Sequence, residues 1–557
     1  MIARPFPLLA LTLTLPLWLV AWGGAGSPGF FVLYRAPKLA ALQVLLWLLL
    51  LALAWHGPGL PSWRRLGRDP VLALTALFLA YGALSLLWAP VAENGFYELC
   101  QWLPLLLLLA ALRHWLQRDP KLADRIIRIA VLALVPVLLI SVLQRLHPLP
   151  WLPAIAPQLG VAHASLLGYK NPLALTLLGQ IFLLAYLAFG RERPRPVWLA
   201  LLAFEIILLT TLRSRTVMVA LLLTAAAGSV LLVLRGRRRQ GAVLAVVGLV
   251  FISLLASLPA ARQRAATIPT LLGDYWSSDR GVYFRNTLAM VRQHSAGVGL
   301  GNWQSVYPVF RSHDRYRSFD DEFRVRRAHS DHVQILGETG WPGLLCWLLL
   351  LAWALAASLR AGPRALFIGL QILALGLAMG TDYVLDLPYS KLQLVVLLAL
   401  LPGPREGAAA SGRRALRWLV PLAAGGILLA LSLALKSHRG AHFQAAFEHQ
   451  RSDARELGES FARLPGHDKT FHRHLLALAQ LRWQDGEPRG ARDAAWRALE
   501  LHPYDPTTLR LLAILTRPQD PLAAAALEDG AAYVLHEATN GYRKPYPRRP
   551  SEDSFGE

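Results

Sequence analysis

The sequence predicts an all-α polytopic membrane protein with about 12–13 transmembrane helices, a large outer loop and a C-terminal soluble helical-repeat region. Three observations lead to this fold class. First, 55% of the 557 residues are hydrophobic and the mean hydropathy is +0.39, whereas soluble globular proteins are about 45–50% apolar. Second, the excess is concentrated in runs that approach the ~20 residues needed to cross a bilayer. Third, the composition after residue 436 is that of soluble helices.

Apolar windows of about bilayer length follow one another along the chain. The predicted spans are residues 6–22, 38–55, 71–89, 97–112, 126–145, 171–190, 197–212, 216–234, 241–258, 341–359, 365–380, 389–402 and 418–435. The first span could pass for a signal peptide. However, Pro5, Pro7 and Pro16 and the lack of a small-residue cleavage pattern favour an uncleaved helix.

The formal net charge of +22 is consistent with a membrane protein whose cytoplasmic loops are basic. In a soluble protein such a basic balance would suggest a nucleic-acid partner. Lys and Arg are also enriched in the cytoplasmic loops of membrane proteins, and here the basic clusters occupy every second connecting loop. We therefore predict no nucleic-acid partner, a cytoplasmic N-terminus and an outer position for the 259–340 loop. With an odd number of spans, the C-terminal tail also lies outside.

These patterns divide the chain into five regions. They are residues 1–258 with the N-terminal transmembrane helices, 259–340 with the large outer loop, 341–435 with the C-terminal transmembrane helices, 436–541 with tetratricopeptide-like helices, and 542–557 as a disordered end. In the tail, the alanines of residues 470–503 and the closing Pro503 fall at tetratricopeptide spacing. A generic alanine-rich hairpin is the alternative. Proline and charge dominate after Tyr542, which predicts disorder.

The 259–340 loop holds most of the residues that could carry chemistry. A loop longer than ~15 residues is unusual unless it is functional or disordered. The aromatic residues of this loop predict short helices packed over the mouth of the bundle. Its GVGLGN segment, residues 297–302, lacks the GK[ST] ending of a phosphate-binding loop and follows no soluble strand. We interpret this segment as a tight glycine turn.

His329 is the candidate general base, because a histidine titrates near neutral pH and can take a proton from a hydroxyl group. It precedes a membrane span and neighbours Asp331. His332, one helical turn along, is the competing base. The two histidines lie three residues apart without an HExxH context, and Cys100 and Cys346 fall in apolar segments. We therefore predict no metal site and no disulfide framework.

Four arginines on the outer side are candidates for binding an anion. Arg213 and Arg215 lie in a short turn between two spans, where charge is costly unless it is solvated or paired. Arg280 and Arg285 lie early in the long loop, and guanidinium groups bind phosphate oxygens in a bidentate manner. Snorkelling of the side chains and plain surface charge are the alternatives. Together these arginines favour a polyanionic ligand.

Lys170 and Asn171 stand at the outer start of a span. The lysine could contact a phosphate and the asparagine a sugar hydroxyl. The alternative, which we favour on sequence alone, is a helix start reinforced before Pro172.

These residues together resemble the bacterial O-antigen ligase and polymerase superfamily over residues 70–400. The shared pattern is a Ser214 and Arg215 turn between two spans, an outer loop with Arg280 near its start, a GxGxGNW-type segment, and a closing segment that begins at His329. The closing segment reads His329, Ser330, Asp331, Gln334, Glu338 and Gly340. Relatives more often carry Asn where this chain has Ser330, and some also carry a helical-repeat tail.

The resemblance implies a metal-independent glycosyltransferase of the bacterial inner membrane, without a cofactor. Such enzymes move a glycan from undecaprenyl diphosphate to an acceptor hydroxyl at the periplasmic face, with inversion. Arg215 and Arg280 would hold the diphosphate, and His329 would deprotonate the acceptor. The further substrate-binding candidates are Arg213, Arg285, Lys170, Asn171, Asp331 and Glu338. Ligation of O-antigen to lipid A-core is the first expectation, and the helical tail offers a surface for a protein partner.

Other functions stay open at this point. The same superfamily contains polymerases and protein O-oligosaccharyltransferases, and residue patterns do not separate them. A non-enzyme, either a polysaccharide carrier or a membrane scaffold that displays the tail, is the alternative of a different class. A carrier would be expected to have charged or broken helices near the bilayer midplane and internal repeats. The sequence gives no clear sign of either, and Glu205 is its main intramembrane carboxylate. The position of His329 relative to Arg215 distinguishes an enzyme from a scaffold.

Overall fold

The computed structural model describes residues 5–19, 36–56, 67–147, 165–190, 194–267, 278–310, 327–403, 412–465 and 471–532. Within these ranges the regular structure is helical throughout. The end predicted to be disordered, residues 542–557, lies outside the described residues.

The helices that precede the outer loop come first in the chain. They are α1 (Phe6–Trp18), α2 (Ala36–His56), α3 (Pro70–Leu84), α4 (Ala92–Arg118), α5 (Leu122–Leu132), α6 (Val135–Leu146), α7 (Lys170–Leu178), α8 (Ile181–Phe189), α9 (Pro196–Leu212), α10 (Arg215–Leu234) and α11 (Arg238–Ser257). The outer loop and the later membrane region follow. They contain α12 (Pro259–Ala266), α13 (Asp279–Gln293), α14 (Trp303–Val306), α15 (Asp331–Leu359), α16 (Pro363–Met379), α17 (Pro388–Leu400) and α18 (Gly412–Glu448). The tail contains α19 (Ala454–Arg463), α20 (His472–Gln484), α21 (Pro488–Leu501), α22 (Pro506–Thr516) and α23 (Pro521–Ala532).

Each predicted span coincides with one of these helices or with a pair of them. Among the described residues, nine helical segments are long and apolar enough to cross a membrane. The other predicted spans correspond to the shorter apolar helices α1, α9, α16 and α17. A helix satisfies its own backbone hydrogen bonds, which a segment in lipid must do. The expected fold class, an all-α polytopic membrane protein, is confirmed.

Two spans are interrupted near their middle, which the sequence did not indicate. The segment Lys170–Phe189 is fully buried and breaks between α7 and α8. The amide of Gln371 bridges the break, donating to the Leu178 carbonyl at 2.6 Å and accepting from the Phe182 N–H at 2.9 Å. A polar side chain on α16 thus satisfies backbone groups that the interrupted helix leaves open. The second interruption separates α5 from α6.

The end of the bundle opposite the outer loop is arginine-rich. There Arg113 is buried, pairs with Asp69 and donates to the Leu398 carbonyl at 2.7 Å, which fixes α4 to the end of α17. A cavity of about 730 Å³ opens at this end and is lined by Arg113, Arg237 and Arg364 among others. Its lining includes neither His329 nor Arg215. Arg215 begins α10, whereas Arg237 follows the opposite end of that helix. This cavity is therefore separate from the predicted site.

The described parts of the 259–340 loop form the helices α12, α13 and α14 and a 3-10 turn at Tyr307–Phe310. The helix that the sequence placed at 341 begins ten residues earlier, at Asp331, so the end of the loop is the first part of α15. In the tail, α20 and α21 form the expected hairpin, with Gly486 at a φ of 76° in the turn. Its assignment as tetratricopeptide repeats stays a prediction.

The last membrane helix continues into the tail. Helix α18 runs for 37 residues without interruption across the boundary predicted at residue 436. At that position the Lys436 ammonium donates to the Leu464 carbonyl at 2.9 Å and lies 5.2 Å from the ring centre of Phe461. The tail is thus attached through a helix and through side chains that pack against its base.

Candidate active site

The glycine turn of the outer loop is bound to the start of α15. The Val298 N–H donates to the Gly337 carbonyl at 3.0 Å, and the Gly299 N–H donates to the Glu338 carbonyl at 2.9 Å. The carboxylate of Glu338 accepts from the Gly301 N–H at 2.9 Å. Through this hydrogen bond the buried side chain of Glu338 fixes the turn against α15.

A kink in α15 makes room for this turn. Gly340 has a φ of 62° and a ψ of −164°, which no helical residue adopts. A Cβ atom at Gly340 would lie 2.1 Å from the Ser295 carbonyl oxygen, and one at Gly297 would lie 2.4 Å from the Glu338 carbonyl oxygen. Two backbone segments cross here at a distance that only glycine permits. The sequence predicted the glycine turn but not the segment that it contacts.

The GNW part of the segment contacts two further helices. The Asn302 amide exchanges two hydrogen bonds of 3.1 Å with the backbone of Val91, at the start of α4. The Trp303 indole donates to the Thr287 hydroxyl on α13 at 2.9 Å. Trp303 also stacks on Tyr307, with the ring centres 4.4 Å apart. This segment therefore connects α4, α13 and α15 into one frame.

His329 lies on this frame, one residue before the cap of α15. Its φ is 51°, in the left-handed region that few residues other than glycine occupy. The imidazole stacks on Tyr283 of α13 with the ring centres 5.7 Å apart and meets the edge of Tyr383 at 5.4 Å. Unusual backbone conformations of this kind persist where the surroundings hold them and are frequent at active sites. Two aromatic rings thus fix the orientation of the candidate base.

Asp331 holds the connection between α16 and α17 in place. Its carboxylate accepts from the Val384 N–H at 2.7 Å and from the Leu385 N–H at 2.9 Å. The hydroxyl of Ser330 donates to the Met379 carbonyl at 3.0 Å and caps α15. The sequence analysis proposed Asp331 for substrate binding. In this structure its buried carboxylate faces backbone groups of residues 380–387, which carry Tyr383.

Arg280 is the arginine that links α13 to this connection. Its guanidinium lies 3.7 Å from the Asp382 carboxylate and donates to the Thr216 hydroxyl at 3.4 Å. Arg280 is 36% exposed at its side chain, whereas Asp382 is 1% exposed. Burial raises the pKa of Asp382, while the charge of Arg280 and the N–H of Tyr383 oppose that rise. The guanidinium is therefore held on its inner side and open on its outer side.

Arg215 is adjacent in the chain to Thr216, whose hydroxyl accepts from Arg280. It precedes Thr216 at the start of α10 and donates to the Thr267 hydroxyl at 3.2 Å. Thr216 also accepts from Thr381 at 3.0 Å. An unbroken series of neighbours therefore leads from His329 to Arg215. It runs through Tyr383, Asp382, Arg280 and Thr216.

His332, the competing base, is held differently. Its Nδ1 accepts from the Trp347 indole at 3.2 Å, and its Nε2 lies 3.0 Å from the Gly376 carbonyl. An indole nitrogen only donates, and a carbonyl oxygen only accepts. The imidazole must therefore be neutral with its proton on Nε2, and both ring nitrogens are occupied. This arrangement disfavours His332 as a base.

The remaining predicted site residues lie on α13, at the start of α7 and in the turn before α10. Arg213, with a φ of 53°, occupies the turn before Arg215 and is half-buried, and Arg285 is exposed on α13. Lys170 and Asn171 are half-buried at the start of α7, and Tyr169 rather than Asn171 precedes the first helical turn. Tyr169 is close enough to Tyr383 to affect the pKa of that phenol, whose rise is due chiefly to burial.

The sequence analysis missed Asp382 and Tyr383. Both belong to a short polar stretch, TDYVLD, between two long apolar runs. That composition could have marked residues 381–386 as part of a site. Among the described residues, no cluster of three His, Cys, Asp or Glu side chains could hold a metal ion.

One family model matches the part of the chain that carries this site. The family model described as O-Antigen ligase matches residues 197–348, which is less than half of the chain. The matched segment extends from α9 into α15 and includes Arg215, Arg280 and His329. No curated protein matches the chain.

Proposed function

We propose, from the premise that this chain is a member of the O-antigen ligase superfamily, that it transfers a glycan from undecaprenyl diphosphate to an acceptor hydroxyl. The family match supports a membrane protein that acts in glycan ligation or polymerisation. The observation that carries the finer proposal is that His329 and Arg280 contact the adjacent residues Tyr383 and Asp382, and that Arg280 also contacts Thr216, which follows Arg215 in the chain.

The two arginines fit the diphosphate of the donor. Arg280 and Arg215 each donate to a threonine hydroxyl, so both guanidinium groups are oriented without being neutralised by that partner. Asp382 is the carboxylate that pairs with Arg280, and its pKa is raised by burial. Charge that develops on a leaving diphosphate is stabilised best by fixed cations in a poorly solvated site. A lipid-linked donor also explains a site at the end of a membrane bundle.

His329 fits the role of general base for the acceptor. A sugar or protein hydroxyl is a weak nucleophile and gains from a base within hydrogen-bonding reach. Tyr283 and Tyr383 fix the plane of the imidazole. Because the ring nitrogens of His332 are both occupied, His329 is the better candidate of the two.

The arrangement favours an enzyme over a scaffold, because a scaffold does not require His329 and Arg280 to be held by adjacent residues, Tyr383 and Asp382. The interrupted span at α7 and α8 is a feature that a carrier would also show. However, the polar group that bridges that break is the side-chain amide of Gln371, which satisfies the backbone. Among the activities of the superfamily, our first proposal is ligation to lipid A-core in the inner membrane, with the outer loop on the periplasmic side.

The test is transfer by the purified full-length protein. Undecaprenyl-diphosphate-linked repeat units serve as the donor, and lipid A-core, further carrier-linked units or a pilin-like protein serve as separate acceptors. Glycosylated lipid A-core supports a ligase, longer carrier-linked chains support a polymerase, and glycosylated protein supports a protein glycosyltransferase. Donor binding without transfer to any acceptor would instead favour a carrier.

Arg280→Lys and Arg215→Lys separate charge from geometry in the same assay. Lysine keeps the charge but loses the bidentate fork. We expect both variants to bind the donor more weakly and to transfer more slowly, because the same groups meet the phosphates before and during the reaction. Wild-type kinetics in both variants would refute the proposed diphosphate site.

A further inference from the structure

The outer loop and the C-terminal tail share one hydrophobic cluster. The loop contributes residues that include Trp303, Tyr307 and Phe310, and the tail contributes residues that include Trp496 and Tyr504. All residues from 301 to 310 are buried. The tail therefore lies on the same side of the bundle as the candidate site and packs against the segment that frames it.

A buried histidine of the tail lies in this interface. The ring of His502, in the turn between α21 and α22, faces the backbone of Gln304. His502 is 5% exposed and packs on His472 with the ring centres 4.8 Å apart. Burial lowers the pKa of His502, while the charge of Asp505 opposes that fall, and the imidazole is therefore uncharged at neutral pH.

The contacted segment leads directly to the candidate base. Tyr307 lies three residues after Gln304, and its hydroxyl accepts from the Asn286 amide at 3.0 Å. The rings of Tyr307 and Tyr283 meet edge to face at 5.8 Å, and Tyr283 stacks on His329. One buried segment thus separates the tail from the ring that orients His329.

We propose that the C-terminal helical tail is a positioning element of the active site, in which His502 fixes residues 303–310 and, through Tyr307 and Tyr283, the imidazole of His329. This inference rests on the proposed function, because it concerns the same reaction. His502 does not touch the reacting groups. It acts by keeping the aromatic frame of the base in one arrangement.

Substitution of His502 in the full-length protein tests this role. His502→Leu removes the imidazole that faces Gln304, and we expect transfer at saturating acceptor to fall on the order of 10- to 100-fold, because small displacements of a catalytic group are costly. The KM for the undecaprenyl-diphosphate-linked donor should stay unchanged, because Arg215 and Arg280 are held by other residues. The acid limb of the pH profile should shift, since it reports the pKa of the base.

Two variants serve as controls for this experiment. His502→Gln keeps a side chain that can bond to the backbone and should recover most of the rate. His449→Leu makes the same exchange at an exposed tail histidine and should match the wild type. A folded His502→Leu protein with the wild-type rate and pH profile would overturn the inference.

A cross-link tests the docking itself, independently of how His502→Leu folds. In a Cys100→Ser/Cys346→Ser background, Gln304→Cys and His502→Cys should form a disulfide under mild oxidation. The reduced protein should transfer slowly and the oxidised protein faster, because the covalent bond restores the docked tail. No cross-link, or an inactive cross-linked protein, would overturn the inference. If even the wild type transfers to no acceptor, the proposed function fails, while the cross-link still reports whether the tail docks.

Discussion

His329 and His332 have similar chemistry but different surroundings, which makes them a matched pair at the scale of single residues. His329 lies between two tyrosine rings, whereas both nitrogens of His332 are engaged. The sequence motif identified His329, yet it could not show how His332 is held, because Gly376 and Trp347 lie far along the chain. The same limit explains the roles found for Asp331 and Glu338, whose partners are backbone groups of other segments.

We expect His329→Ala to lower the transfer rate by about 10²–10⁴, because a general base is lost. Binding of the undecaprenyl-diphosphate-linked donor should be largely retained, since the base acts on the acceptor. Equilibrium binding and single-turnover transfer, measured on the same preparation, separate the two effects.

His332→Ala is the internal control for that variant. It should lower the thermal unfolding temperature, since it leaves the Trp347 indole without its acceptor, while folded molecules continue to transfer. If His332→Ala were the inactive protein and His329→Ala transferred normally, the assignment of the base would be wrong.

The buried carboxyl of Asp382 gives a prediction on pH. Its folded-state pKa is raised from the ordinary value of 3.8, chiefly by burial. A raised pKa stabilises the fold below the unfolded-state value, and that contribution is lost as pH rises through the folded-state value. Asp382→Asn should therefore flatten the fall in thermal stability as pH increases from 4 upwards. Unfolding temperatures of both proteins in detergent across this range provide the measurement, and parallel curves would count against the assignment.

At the scale of elements, the kink of α15 and the glycine turn of residues 297–302 depend on each other. The sequence predicted a tight turn from its glycines. It could not predict that the turn docks into a helix, because a single residue with an unusual φ leaves little trace in hydrophobic periodicity. Gly340 appears in the sequence only as one member of a closing motif, although it is the position at which two backbones cross.

Gly340→Ala should destabilise the protein more than Gly236→Ala. Both glycines have positive φ angles, 62° and 74°. The ψ of −164° places Gly340 in a region that is essentially restricted to glycine, so its substitution costs about 1–3 kcal/mol for the backbone conformation alone. A Cβ at Gly340 meets the Ser295 carbonyl oxygen, whereas nothing lies within 4 Å of a Cβ at Gly236. The clash should add about 1–3 kcal/mol. Equal unfolding temperatures for the two variants would show that the crossing relaxes freely.

At the scale of the whole molecule, the spans follow from composition, whereas the contacts between distant segments do not. Bilayer-length apolar runs suffice to place the helices, because lipid imposes internal hydrogen bonding on every span. The backbone groups at the interruption between α7 and α8 are hydrogen-bonded by Gln371, almost 200 residues away. No local sequence pattern predicts this interruption. The docking of the tail on the outer loop is likewise a long-range property.

The shared cluster predicts that loop and tail react on the same side of the membrane. In the Cys100→Ser/Cys346→Ser background, Gln293→Cys on the loop and Gln484→Cys on the tail are exposed sites. Both should react with a membrane-impermeant maleimide applied from outside. Gly236→Cys, in the arginine-rich loop after α10, should react only after permeabilisation. Labelling of Gln293→Cys and Gln484→Cys from opposite sides would refute the shared orientation.

The uninterrupted helix α18 has a consequence for how such tails can be exchanged. At about 1.5 Å per residue, its 37 residues extend about 55 Å, well beyond a hydrocarbon core of about 30 Å. Because each added residue turns a helix by about 100°, one insertion beyond Lys436 would swing the tail around the axis, whereas a full turn would lift it by about 5.4 Å. A tail grafted from another protein must therefore preserve both the rotational phase and the length of this helix.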